Sequence, residues 1–244
     1  MPRFFVSPAA LTSAELALTG ENAAHARVLR LKCGDAVTVC DGLGTDYFCT
    51  VSAVSAESIR LAIGSKAASA SEPAVFCSIY MAFPKADKLE HVIQKATELG
   101  AAEIVVFPSE RCVSRPDARS VSKKLERWQK IAASAAEQSG RGRIPQVLVL
   151  DSFEQAISRA AACDLPLFPY ENEQQLSIRA AIGSADYRTV SIVTGPEGGF
   201  SPGEVLLAQQ YQMKICTLGP RILRCETAPL CALSSVLFAC GALD

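Results

Sequence analysis

Residues 192–200 are IVTGPEGGF, and residues 218–228 are LGPRILRCETA. Each segment follows an apolar run typical of a buried strand and leads into a run typical of a helix. The Gly and Pro residues at both junctions favour tight turns in which the backbone itself can approach a ligand. Open α/β sheets bind small molecules at the carboxyl ends of their strands, so the two turns predict a binding crevice at neighbouring strand ends.

Strands alternate with helices from residue 75 onward, which predicts an α/β fold with a mostly parallel sheet and helices on both faces. The predicted strands are 75–82, 103–107, 146–150, 165–168, 189–193 and 214–218. The predicted helices are 85–99, 121–138, 153–162, 173–181, 202–210 and 227–240. The last helix is apolar nearly all round, so we expect a second apolar surface against it, from this chain or from a partner.

The first seventy residues have a different pattern, with short strands predicted at 36–40, 47–51 and 58–63 and a short helix at 25–31. Closely spaced short strands with polar turns favour a small β-barrel. Residues 64–73 are rich in Ala and Ser, which favours an interdomain linker. We therefore expect two domains.

Composition limits the class of protein. The chain has 244 residues, of which 49% are hydrophobic, so it can form a substantial core. No apolar run reaches the roughly 18–20 residues that span a bilayer, and the first residues lack a signal-peptide apolar core, so we expect a cytoplasmic protein without a membrane anchor. The 10 cysteines form no CxxC pair and the chain has 2 histidines, so we expect no metal site. Most cysteines stand alone in apolar stretches, which favours small buried side chains.

The charge distribution is uneven. Residues 111–143 hold nine basic and three acidic side chains, a net charge of +6 in a chain whose net charge is −1. A concentrated basic segment favours contact with a polyanion such as RNA. The alternative is a solvated helix face.

Neither turn matches a phosphate-binding signature. Residues 194–199 lack the Lys-Ser/Thr pair of a P-loop and the GxGxxG spacing of a dinucleotide fingerprint. A tight turn without a ligand is the simpler interpretation, but two such turns in successive strand–helix units favour binding. Arg221, Arg224 and Glu226 within the second turn add reactive charge to the predicted crevice.

Sequence blocks along the whole chain are shared with a known family. They are RFF at 3–5, HARVLR at 25–30, Lys88 with KATELG at 95–100, SERC at 109–112, Arg127-Trp128 with AEQSGR at 136–141, Ile144-Pro145, and the segments 195–201 and 218–228. With these blocks the chain resembles the 16S ribosomal RNA uridine N3-methyltransferases, members of the knotted SPOUT superfamily.

The resemblance implies a PUA-like β-barrel for RNA at residues 1–70 and a SPOUT methyltransferase domain with a deep trefoil knot at 74–244. It implies S-adenosylmethionine as cofactor and a homodimer as the working unit. The implied substrate is 16S ribosomal RNA, alone or in the assembled small subunit. Knots are nearly absent from proteins, so composition and spacing do not predict this one.

The resemblance and the chemistry together nominate site residues. The cofactor-binding candidates are Leu167, Thr194, Gly195, Pro196, Glu197, Gly198, Leu218, Gly219, Ile222, Leu223, Thr227 and Ala228. Removing the N3 proton of uridine needs a base, or a cation beside the developing O2 or O4 charge. Arg221 and Arg224 are the candidates for that cation and Glu226 for the base, although Glu226 also suits the first turn of a helix, where the dipole favours a carboxylate. The RNA-binding candidates are Arg3, Arg27, Arg30, Arg111, Lys123, Lys124, Arg127, Gln138 and Arg141.

Two other classes of function compete with the methyltransferase. A nucleotide-binding hydrolase or kinase is disfavoured because the chain lacks a P-loop lysine and a metal-binding carboxylate cluster. A non-catalytic RNA-binding adaptor is disfavoured by the intact glycine turns. Sequence alone does not separate N3 methylation of uridine from ribose 2′-O methylation.

Overall fold

The computed structural model describes residues 1–11, 13–113, 118–184 and 186–243. The chain divides into two compact units. The first consists of Met1–Glu72 with Ala136–Ile144, and the second of Pro73–Ala135 with Pro145–Asp244. Residues 136–144 therefore belong to the first unit, although more than sixty residues of the second unit precede them in the sequence.

The first unit is built on one mixed sheet. Its elements are β1 (Arg3–Phe5), β2 (Glu15–Leu18), α1 (Gly20–Val28), β3 (Ala36–Cys40), β4 (Thr45–Val54) and β5 (Ile59–Ala68). The strand order is β1-β3-β4-β5-β2, with β1 parallel to β3 and the other ladders antiparallel. Because β1 and β2 lie at the two edges, this sheet forms a half-barrel within the described residues. Phe4, Leu18 and Leu61 lie in its buried core.

Strand β5 corrects the predicted linker, because it continues through residues 64–68 and pairs Ala68 with Thr45. The register shifts between Phe48 and Cys49, so that Gly64 is an extra residue opposite this step. A Cβ on Gly64 would lie 3.3 Å from the Phe48 carbonyl oxygen. Glycine is common at such a bulge, so the start of this Ala- and Ser-rich stretch forms a strand and not a linker.

The second unit alternates strands and helices. Its strands are β6 (Phe76–Ala82), β7 (Glu103–Phe107), β8 (Gln146–Val149), β9 (Leu165–Pro169), β10 (Thr189–Thr194) and β11 (Lys214–Cys216). Its helices are α2 (Lys88–Leu99), α3 (Ala118–Gln138), α4 (Phe153–Ala160), α5 (Ile178–Ile182), α6 (Pro202–Gln210) and α7 (Thr227–Ala239), of which α3 ends within the first unit.

The strand order of this sheet is β11-β9-β10-β6-β7-β8, and the ladders between its described strands are all parallel. The predicted fold class, a small N-terminal β-barrel followed by a parallel-sheet α/β domain, is confirmed, with the barrel present as a half-barrel. The order places β9 between β10 and β11, so the two strands that precede the Gly/Pro turns are not direct neighbours. The trefoil knot stays a prediction.

Local sequence signals explain most helix limits. Helix α2 ends at Gly100, whose φ of 116° is in the left-handed region that favours glycine. Helix α6 begins with a capping box, in which Ser201 accepts from the Glu204 backbone and Glu204 accepts from the Ser201 backbone.

The predicted helix 173–181 is wrong over its first half, since α5 comprises only Ile178–Ile182. The Glu173 carboxylate accepts hydrogen bonds from the backbone N–H groups of Gln175 at 2.6 Å and Leu176 at 3.1 Å. Side-chain bonds of this kind hold the backbone in a turn and compete with a helix.

No helix among the described residues is long and apolar enough to cross a membrane. All ten cysteines are free thiols, and Cys40, Cys49, Cys77, Cys216 and Cys225 are buried. Within the described residues, no group of three or more His, Cys, Asp or Glu side chains is placed to hold a metal ion.

Candidate methyltransferase site

A cavity of about 900 Å³ lies in the second unit at the carboxyl ends of β9, β10 and β11. Its lining residues come from three segments and Ala228. The segments are the first cavity loop (194–200), the second cavity loop (217–226, all but Glu226) and a third wall (169–174, all but Asn172). Because β9, β10 and β11 run parallel, their carboxyl ends meet at one edge of the sheet, which brings these segments together.

The first cavity loop makes a tight turn in which the Gly199 N–H donates to the Pro196 carbonyl oxygen at 3.0 Å. A Cβ on Gly195 would lie 3.2 Å from the carbonyl carbon of Gly199 and 3.3 Å from the Phe200 ring, so the loop closes on itself there. Gly199 has a φ of 64°, and a Cβ there would overlap the Glu171 carboxylate. The glycines leave part of this loop as bare backbone, which a ligand can approach closely, beside the lining residues Thr194, Pro196, Glu197 and Phe200.

The second cavity loop exposes side chains instead. Arg221, Ile222 and Arg224 all line the cavity and are exposed to solvent, Ile222 with 88% of its surface. Neither guanidinium forms a hydrogen bond or ion pair with the described residues, so both are free to meet an anionic or polar group. Gly219 has a φ of 106° and open space around it, which fits a turn position.

The third wall consists of residues that the sequence analysis did not nominate. Tyr170, Glu171, Glu173 and Gln174 line the cavity because β9 lies between β10 and β11. The sequence could have predicted them, because they follow the predicted strand 165–168. Residues that follow a strand of a parallel sheet lie at the edge where ligands bind.

The predicted cofactor residues differ in their position. Thr194, Gly195, Pro196, Glu197, Gly198, Leu218, Gly219, Ile222, Leu223 and Ala228 all line the cavity. Leu167 does not, because it lies inside β9, pairs with Ile192 and Lys214, and is completely buried. Thr227 is the exposed first residue of α7, outside the lining.

A charged cluster lies beside the cavity. The Lys88 ammonium is 2.9 Å from Glu197 Oε1, 3.5 Å from Glu226 Oε2 and 3.8 Å from Cys225 Sγ. Burial opposes the charge on Glu197, but hydrogen bonds from Lys88 and from the Lys85 backbone outweigh it and hold the pKa of Glu197 below its ordinary value. The hydrogen bond to Glu197 in turn raises the pKa of Lys88. The Lys88 ammonium and the Glu197 carboxylate are therefore both charged at neutral pH.

Glu226 is placed as a partner of Lys88 rather than as a base. It precedes the first turn of α7, and the Cys225 thiol donates to its carboxylate at 3.2 Å. Burial opposes its ionisation, but hydrogen bonds from its own backbone and from Cys225, with attraction by Lys88, lower the pKa of Glu226. Because Glu226 does not line the cavity and a lowered pKa makes a weaker base, the structure favours the helix-terminus alternative.

Several predicted RNA-binding side chains are accessible. Lys123, Lys124 and Arg127 are exposed on α3, where Arg127 pairs with Glu90 at 2.7 Å. Arg111 is exposed, and its Nη1 donates to the Gly198 carbonyl oxygen at 3.0 Å. Arg115 and Asp117 of the basic segment, and the side chain of Arg119, lie outside what the structure describes.

The first unit also carries accessible candidates. Arg27, Arg30 and Gln138 are exposed, and Arg27 donates to the Ala56 carbonyl oxygen. Arg30 has a φ of 56°, which is unusual for a residue other than glycine.

Two other RNA-binding candidates form ion pairs with carboxylates inside the first unit. Arg141 is 2% exposed and its Nη2 donates to Glu72 Oε2 at 2.6 Å. Arg3 forms a two-point pair with Asp46, with N–O distances of 2.6 and 3.0 Å. Buried charges need such partners. The structure therefore places Arg141 and Arg3 in ion pairs within the first unit and not on a free basic surface, which disfavours their predicted role in RNA binding.

Known proteins match this arrangement over nearly the whole chain. An RNA methyltransferase domain family matches residues 71–237, and an RNA methyltransferase PUA domain family matches residues 18–64. Ribosomal RNA small subunit methyltransferase E of Bacillus subtilis is 36% identical, over 98% of this chain and 96% of that protein.

The chain belongs to the ribosomal RNA small subunit methyltransferase E family. The same-named protein of Mycobacterium bovis is 31% identical over 96% of this chain and 90% of its own length. The family member from Neisseria gonorrhoeae, whose crystal structure is bound to S-adenosyl methionine, superposes with a TM-score of 0.84 at 29% identity. The match covers 98% of this chain and 97% of that one. The family resemblance drawn from the sequence blocks is thus confirmed.

Proposed function

We propose that this protein transfers the methyl group of S-adenosylmethionine to N3 of a uridine in 16S ribosomal RNA of the small ribosomal subunit. The observation that carries the proposal is the cavity of about 900 Å³ at the carboxyl ends of three parallel strands. A glycine-rich loop lines one side of it, and two arginines without a side-chain partner among the described residues line another. Family membership supports methyl transfer to ribosomal RNA of the small subunit, because the relatives are named for that activity.

The residues present suit this cofactor. Gly195, Gly198 and Gly199 line the cavity without side chains of their own, so flat adenine and ribose groups can approach their amides and carbonyls closely. Tyr170 and Leu223 add apolar surface to the lining. When bound, the cofactor supplies an electrophilic methyl group on a sulfonium.

The chain's own groups then have two tasks. Alignment of uridine N3 with the methyl carbon is a matter of positioning, for which a preformed cavity is the main contribution. Loss of the N3 proton to solvent water leaves negative charge on O2 and O4 of the base. We expect Arg221 and Arg224, which line the cavity and are exposed, to stabilise that charge. Arginine stays protonated at any working pH, so this stabilisation needs no titration.

We further propose a homodimer formed through α7. Its buried side packs against α2, α5, β6 and β10 of the same chain. Its other side carries Cys231, Ser234, Ser235 and Phe238, with Phe238 71% exposed. A predominantly apolar helix with an uncovered face favours a second copy as its partner.

We also propose that the protein acts in the cytoplasm, where its ribosomal RNA substrate is found.

Nucleoside mass spectrometry of 16S ribosomal RNA tests the proposal. A strain lacking the gene should contain unmethylated uridine at one position, and restoring the gene should restore 3-methyluridine there. Purified protein incubated with methyl-labelled cofactor, and with either naked RNA or small subunits, then shows which substrate is used. A methyl group found on the ribose 2′-oxygen, or no change in the deletion strain, would overturn it.

A further inference from the structure

Lys88 connects the two cavity loops without lining the cavity itself. It is the first residue of α2, and its ammonium lies 2.9 Å from Glu197 in the first loop and 3.5 Å from Glu226 in the second. The backbone N–H of Lys85, just before the helix, also donates to Glu197 Oε1, at 3.0 Å. One short segment thus holds both loops.

These contacts join parts of the chain that are far apart in sequence. Lys88 is 109 residues from Glu197 and 137 residues from Cys225, the neighbour of Glu226. The two carboxylates face the same ammonium, so without that ammonium they would repel each other. The side chains of Lys88, Glu197 and Glu226 are each only about a quarter exposed, at 27%, 25% and 26%, so solvent screens the cluster incompletely.

We propose that Lys88 is a positioning residue that fixes the separation of the two cavity loops before the cofactor binds. The inference rests on the proposed function only for the identity of the ligand. Lys88 touches neither the cavity nor the reacting atoms, so its effect is on loop order and cofactor affinity. Preorganisation of this kind strengthens binding because less freedom is lost when the ligand arrives.

Hydrogen–deuterium exchange of the cofactor-free protein tests the positioning directly. Lys88→Met keeps the length of the side chain and removes the charge. Peptides covering residues 194–200 and 217–226 should exchange faster in this variant, while Lys88→Arg should keep both protected. Lys95→Met is the matched control, because Lys95 pairs with Glu98 on the same helix at 2.9 Å and touches neither loop. Unchanged exchange in either loop of the Lys88→Met protein would overturn the proposal.

Calorimetry with S-adenosylmethionine gives the functional consequence. We expect Lys88→Met to bind about three- to tenfold more weakly, with Lys88→Arg close to wild type and Lys95→Met unchanged. Turnover at saturating cofactor should fall much less than affinity, as for an interaction that acts on binding. Equal affinity in Lys88→Met and wild type would contradict the role in binding. If the wild-type protein binds no cofactor, the proposed function fails, whereas the exchange experiment still decides whether Lys88 orders the loops.

Discussion

The guanidinium of Arg111 donates a hydrogen bond to the Gly198 carbonyl oxygen at 3.0 Å. The Cβ atom of Arg111 lies 3.1 Å from the position that a Cβ on Gly198 would take. The first cavity loop is thus covered from outside by a basic side chain packed against it. A side chain at position 198 has to displace Arg111 or push the loop into the cavity. This relationship gives the glycine a steric role beyond that of a turn former.

Gly198→Val should abolish or strongly weaken cofactor binding while the domain stays folded, because the change is at the surface of a loop. Calorimetry with S-adenosylmethionine, together with circular dichroism, measures both effects. Gly203→Ala is the control, since a Cβ there meets only the Ser201 hydroxyl at 3.9 Å and position 203 is outside the cavity. Wild-type affinity in a folded Gly198→Val protein would remove the first loop from the binding site.

Arg221→Ala and Arg224→Ala should lower the rate of methyl transfer far more than cofactor affinity. Both guanidiniums line the cavity, are exposed and have no partner among the residues that the structure describes, so they can act where charge develops in the transition state. Single-turnover rates with small subunits, set beside cofactor dissociation constants, separate the two effects. Arg179→Ala, an exposed arginine of α5 outside the cavity lining, should change neither. Equal losses in rate and affinity would instead mean that the arginines hold the cofactor.

Neutralising Lys123, Lys124 and Arg127 to Gln should weaken RNA binding and flatten its dependence on salt. Each phosphate contact removed should lower the slope of log affinity against log salt by up to about one unit. Filter binding over a salt series measures this. Lys95→Gln removes one charge from a lysine already paired with Glu98 and should leave the slope unchanged. An unaltered slope in the triple variant would make α3 a solvated face only.

Arg141→Met should destabilise the first unit rather than reduce RNA contact. The side chain of Arg141 is 3% exposed, and its removal takes the guanidinium away from the mostly buried Glu72 carboxylate, whose side chain is 13% exposed. Breaking a buried pair on one side costs about 3–5 kcal/mol. Urea unfolding should show a lower midpoint, and the folded fraction should keep the wild-type salt slope for RNA. A stable protein with a reduced slope would return Arg141 to the RNA-binding surface.

Phe238→Glu should yield folded monomers, because Phe238 is 71% exposed on the uncovered side of α7. Leu237→Glu is the contrasting variant: Leu237 is completely buried within its own chain, so that change should unfold the domain. Multi-angle light scattering and thermal melting distinguish the two results. A wild-type protein that is monomeric and fully active at micromolar concentration would end the dimer proposal.

Local signals in the sequence determined the elements of the second unit and the place of its binding edge. Gly100 ends α2, Ser201 and Glu204 cap α6, and the Gly/Pro turns after β10 and β11 line the cavity. Propensity, capping and turn chemistry act over a few residues, so helix ends and turns can be predicted from them without a structure. The family resemblance added the activity and the cofactor, which no local pattern contains.

Tertiary structure decided which of these signals meet. The position of β9 between β10 and β11 made Tyr170 and Glu171 part of the cavity, because strand order depends on contacts across the whole chain. The sequence marks Arg141 and Lys123 equally as basic, yet Arg141 is buried against a glutamate 69 residues away and Lys123 is exposed. A charged residue's role follows from its partner and its burial, and both are set only when distant segments pack together.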